Sequence, residues 1–71
     1  MKTIEHEYYN ACRKYYFNLN MGREDEKIYF MGKVDALREL FELEDKKDGE
    51  LDVIREKAKT DAKKDFEYYR H

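Results

Sequence analysis

The chain contains no proline. Nothing in it therefore strips a backbone donor from a helix interior or forces a kink, and long helices are allowed throughout. Glycine is scarce too, at three residues, so Gly22, Gly32 and Gly49 are the only strong backbone punctuation. A single cysteine, Cys12, excludes an internal disulfide and suits a reducing compartment. No apolar run approaches the roughly 20 residues that span a bilayer. The stretch MKTIEHEYY also lacks the apolar core of a secretory leader, so a cytoplasmic location with no membrane partner is the expectation. Charge of one sign is missing as well. Seventeen acids and 15 bases, interspersed along the chain, give a net charge of −2. That balance supports neither a nucleic-acid footprint nor a polyanionic mimic of nucleic acid.

What the chain has in abundance is charge and rings. Charged residues are 45% of it, against roughly a quarter in an ordinary globular domain. Aromatics at 15% argue against disorder, because disordered chains are poor in large rings. At 71 residues there is one domain, with a thin core that hides only about 60% of the surface the unfolded chain exposes.

The punctuation predicts three helices, at about 3–20, 24–44 and 50–69, with Gly22 and Gly49 as helix stops and Gly32 tolerated inside the second. In the first, Ile4, Tyr8, Ala11, Cys12, Tyr15 and Leu19 recur at three- and four-residue spacing, the signature of one buried stripe. Thr3 is placed to cap its start. The second has two stripes, Phe30, Val34, Leu37 and Phe41 beside Tyr29, Ala36, Leu40 and Leu43, leaving Asp35, Arg38, Glu39 and Glu42 for water. Two stripes predict the central element, touching both neighbours. Its acidic start, Glu24, Asp25 and Glu26, complements the helix dipole. The third is narrower: Leu51, Ile54, Ala58, Ala62, Phe66 and Tyr69. The fold expected is all-α, an antiparallel helical hairpin or three-helix bundle, with dimerisation as one way to complete it. No half-buried strand alternation appears.

Chemistry finds little to work with. EDKKDGELD places Gly49 at the invariant position of a calcium loop, but Lys46 and Arg55 then stand where two ligands belong, and a charged turn is the better reading. His6, Cys12 and terminal His71 lack the spacing of a transition-metal site. Cys12 lies on the buried stripe, where a thiol is usually a small hydrophobe. No base and orienting group accompany it, and no glycine-rich phosphate loop exists. No catalytic residue, metal or cofactor is assigned, and a non-enzymatic role is expected.

Two surface readings remain. Arg13 and Lys14 adjoin a tyrosine pair, and the third helix carries Arg55, Lys57, Lys59, Lys63, Lys64 and Arg70. Basic groups among rings can follow phosphates, which makes Arg13, Lys14, Lys59 and Lys63 candidates for nucleic-acid contact. Interleaved acids, including Glu56 and Asp61, also fit a solvated face with ion pairs one turn apart, so this is the alternative reading. The main reading rests on adjacent tyrosines, Tyr8-Tyr9 and Tyr15-Tyr16, whose side chains point about 100° apart on a helix. One ring of each pair goes inward, and the other is left on a flank. Tyr9, Tyr16 and Tyr68, with Phe17 and Met21, then form a candidate protein interface, although single exposed rings are also ordinary. The function expected is a small interaction module: a regulator, inhibitor or adaptor of the kind phages and mobile elements carry. It would bind a larger protein, or itself as a homodimer.

Overall fold

The computed structural model describes residues 3–43 and 48–70, apart from the side chains of residues 42, 43, 48 and 70. The expectations for the side chains of Glu42, Leu43 and Arg70, for His71 and for most of the EDKKDG turn fall outside what is described. Three helices account for the fold: α1 (Ile4–Met21), α2 (Glu24–Leu43) and α3 (Asp48–Arg70). The protein is an all-α three-helix bundle, running up, down and up.

Local chemistry sets the first two helices where the sequence placed them. The Thr3 hydroxyl accepts from the His6 amide at 3.1 Å, satisfying one of the free donors at the start of α1. At the other end Gly22 turns left-handed, with φ of 74°, so that its amide reaches the Leu19 carbonyl and the Arg23 amide reaches that of Asn18. That paired closure is the Schellman arrangement, and it uses the one residue type with no Cβ to clash there. The Arg23 carbonyl then accepts from Lys27 as α2 begins, and Lys27 also pairs with Glu24 at 2.9 Å.

Gly49 is not a stop. It lies in the first turn of α3, which begins at Asp48, and of the described glycines only Gly22 has a positive φ. A glycine in a first helical turn needs no special conformation, so composition alone pointed the wrong way.

The core gathers at one end. Tyr8, Ala11 and Cys12 of α1 meet Leu37 and Phe41 of α2 and Leu51 and Ala58 of α3. Tyr8 and Phe41 are completely buried and meet edge to face, centroids 5.5 Å apart. Burying each such side chain stabilises the fold by about 1.5–3 kcal/mol.

The central helix is α1, which corrects the expectation for α2. α1 packs along both neighbours, whereas α2 and α3 barely approach one another. The physical reason is a ladder on the flank of α1. Tyr9 donates a hydrogen bond to Asp61, Arg13 grips Asp65, and Phe17 meets Tyr69 edge to face, every step joining residues 52 apart. Four-residue steps on both helices fix a parallel register, and Ala58 and Ala62, both buried, let α3 come close. Because α3 is held on that flank, the described side chains of the second stripe of α2 stand open to solvent. Tyr29 is 64% exposed and Leu40 46%, and Ala36 is exposed beside them. Leu19, expected on the buried stripe of α1, is 43% exposed, and Tyr69 is exposed at the end of α3. Asn18 is buried instead, an outcome no apolar pattern signals; its side-chain amide is satisfied by the Lys14 carbonyl at 2.8 Å.

Candidate functional site

The five candidate interface residues do not form one surface. Tyr9 is half-buried in the α1–α3 seam. Its hydroxyl donates to Asp61 and accepts from Arg13, and the Arg13 and Lys57 cations stand 5.9 and 5.8 Å from its ring. Burial first, then the Asp61 hydrogen bond, raises the pKa of this hydroxyl. Tyr16 is half-buried on another side of α1, edge to face with Tyr15 and covered by Lys59. Phe17 and Met21 are half-buried as well, and Tyr68 is 87% exposed. Phe17, Tyr68 and Tyr69 do come together, lining a groove of about 450 Å³ with Arg13, Lys14 and Asp65.

The outer face of α2 lies outside the candidate set. Tyr29 and Leu40 are exposed on it, and neither belongs to the five; Ile28 and Met31, also exposed, lie on other sides of the helix. The doubled stripe carries the signal for Tyr29 and Leu40, and the expectation of a central α2 assigns that stripe to the core.

The four basic candidates separate too. Arg13 makes a two-pronged pair with Asp65, Nε to Oδ2 at 2.6 Å and Nη2 to Oδ1 at 2.7 Å. That geometry is the strong, fork-shaped form of an ion pair. It raises the pKa of the arginine further and holds the Asp65 carboxyl below its ordinary value. Lys14 instead lies over Phe30 at 5.6 Å. Lys59 and Lys63 border a different hollow between α1 and α3, of about 730 Å³, with Tyr16, Leu19 and Phe66 as its apolar lining and Glu56 and Glu67 as acids. Phosphates would therefore meet two separated basic pairs, one already neutralised in part.

A third hollow, of about 190 Å³, lies where all three helices meet. Tyr8, Cys12, Tyr15 and Tyr16 of α1, Met31, Val34, Asp35 and Arg38 of α2, and Arg55 of α3 line it. The Tyr8 hydroxyl and Arg55 Nε are both buried; the hydroxyl has only the Cys12 thiol beside it, and Nε has no hydrogen-bond partner. A buried donor left unsatisfied costs about 1–3 kcal/mol, so the Arg55 Nε needs a reason. Cys12 is a buried free thiol whose pKa burial pushes up. It sits in the neutral, poorly reactive state of a structural thiol.

Among the described residues no group of three or more histidine, cysteine, aspartate or glutamate side chains is placed to hold a metal ion. No described helix is long and apolar enough to cross a membrane. Compared with protein-family models, curated proteins and solved structures, the chain matches none.

Proposed function

We propose that this chain is a helical protein-interaction module that pairs with a second copy of itself through the outer face of α2. A single observation carries the reading: Tyr29, Ala36 and Leu40 form a row on α2 that is exposed among the described residues. Tyr29, Ala36 and Leu40, with Lys33 among them, stand at the four- and three-residue steps by which one helix seats against another. A two-fold axis, the commonest symmetry of homodimers, would set this row against its own copy. The thin core supplies the motive, since small helical domains gain stability by association. Tyr9 and Phe17 are engaged within the chain, so the contact surface of this reading moves from the α1 residues and Tyr68 to α2. Regulation, inhibition or adaptation of a larger protein, in the cytoplasm, is the wider role such a module would serve.

The test is sedimentation equilibrium over a hundred-fold range of concentration. The native chain is expected to approach twice its mass as concentration rises. Tyr29→Lys with Leu40→Lys is expected to remain monomeric, with its helical circular dichroism retained. A native chain that is monomeric throughout overturns the self-pairing. So does dissociation by Tyr16→Ala with Phe17→Ala alone, which would return the interface to α1.

A further inference from the structure

We infer that the hollow between the three helices is a binding site for one small oxyanion, a carboxylate or phosphate group. It lies apart from the outer face of α2, and nothing in it depends on self-association. Tyr8 is fully buried and lines this space, and its hydroxyl has no partner beyond the Cys12 thiol beside it. Arg55 presents a buried Nε with no hydrogen-bond partner. Arg38 reaches the same hollow from the opposite helix. Neither arginine pairs with a carboxylate among the described residues, in contrast to Arg13 and Lys27.

The charges and protons are consistent with that occupant. Two guanidinium groups face one carboxylate, Asp35, which lies on an exposed position of α2. The fields of Arg38 and Arg55 reach both Tyr8 and Cys12, opposing the effect of burial on each. At neutral pH the Tyr8 hydroxyl keeps its proton, and the thiol is neutral. Hydroxyls, a thiol and guanidinium N–H groups make a lining rich in donors and short of acceptors. An oxyanion supplies the reverse, and arginine is the side chain best shaped to hold one. Size narrows the class. About 190 Å³ is enough for one carboxylate or phosphate group and below the usual range for a drug-sized ligand.

The experiment is a calorimetric titration of the full chain with inorganic phosphate, and separately with acetate, against sodium chloride at matched ionic strength. Thermal melts run alongside. Saturable binding of at least one oxyanion is expected, with a rise in melting temperature that chloride does not give. Arg55→Gln and Arg38→Gln should each weaken it by about ten-fold or more, the loss of a charged hydrogen bond. Tyr8→Phe keeps the ring and removes the donor, and is expected to weaken binding while the fold survives. Lys64→Gln, an exposed lysine outside the lining, should change nothing. The phosphate and acetate arms separate the two oxyanion chemistries. No saturable binding in either arm overturns the proposal, because the hollow is then merely hydrated. Binding that persists unchanged in both arginine variants also overturns it, because the anion then sits elsewhere.

Discussion

Tyr8 has two tasks that pull against each other: its ring fills the core against Phe41, and its hydroxyl finds only the Cys12 thiol there. Phe41→Ala removes the larger contact and is expected to cost about 3–5 kcal/mol. That is a large share of the stability of so small a domain, and it would be visible as a collapse of the cooperative thermal transition followed by circular dichroism. The hydroxyl makes a separate prediction about alkali. Burial, with Cys12 beside it, pushes the Tyr8 pKa from 10.0 up to about 12. A group whose folded pKa is raised contributes stability that is whole below the unfolded value and lost as pH climbs through the folded one. Melting temperature should therefore fall between pH 10 and about 12, and Tyr8→Phe should fall less steeply over that range. Asp65 works at the other end of the scale. Its pKa is lowered by the Arg13 hydrogen bonds, so its contribution is present above the ordinary carboxyl range and lost as pH drops through its folded value. Both partners are about a third exposed, so Asp65→Asn should flatten the acid limb by no more than about 1 kcal/mol.

At the scale of the helix, the capping signals were legible and the neighbours were not. Thr3 and Gly22 could be read directly because each meets a requirement of its own backbone, independent of the rest of the chain. The opposite signs expected of two glycine substitutions follow from the same distinction. Gly22→Ala places a Cβ at a φ of 74° and should destabilise by about 1–2 kcal/mol, though no atom would clash with it. Gly32→Ala, in the interior of α2 with open space around it, should stabilise by about 0.8–1 kcal/mol. Chemical denaturation of the pair would show one midpoint moving down and the other up. The choice of α1 as the middle helix was harder to see. The rungs Tyr9, Arg13 and Phe17 and their mates Asp61, Asp65 and Tyr69 are each spaced by four, yet either row alone reads equally well as a solvated flank. Only the parallel register joins them, and register is a property of two helices together. The same blindness hid the third hollow, because Arg38 and Arg55 looked like solvent-facing charges until their helices were brought to Tyr8.

Across the whole molecule, the core is concentrated toward one end, and the exposed rings and aliphatic groups are concentrated elsewhere. Tyr8, Cys12, Leu37, Phe41, Leu51 and Ala58 share the cluster, whereas Leu19, Ile28, Tyr29, Tyr68 and Tyr69 lie outside it and exposed. Local opening is easiest where few apolar contacts resist it. Amide exchange should accordingly be slowest around Tyr8–Cys12, Leu37–Phe41 and Ala58–Ala62, and fast in the first turns of α2 and the last turns of α3. This pattern can be set against the proposed pairing. A second copy seated on Tyr29, Ala36 and Leu40 would shield the outer side of α2 while leaving the end of α3 untouched. Raising the protein concentration should then slow exchange through the first half of α2 and leave the amides near Tyr68 unchanged. Concentration-independent exchange along α2 would mean that its uncovered row meets only water between copies, and the surface would have to await a different protein.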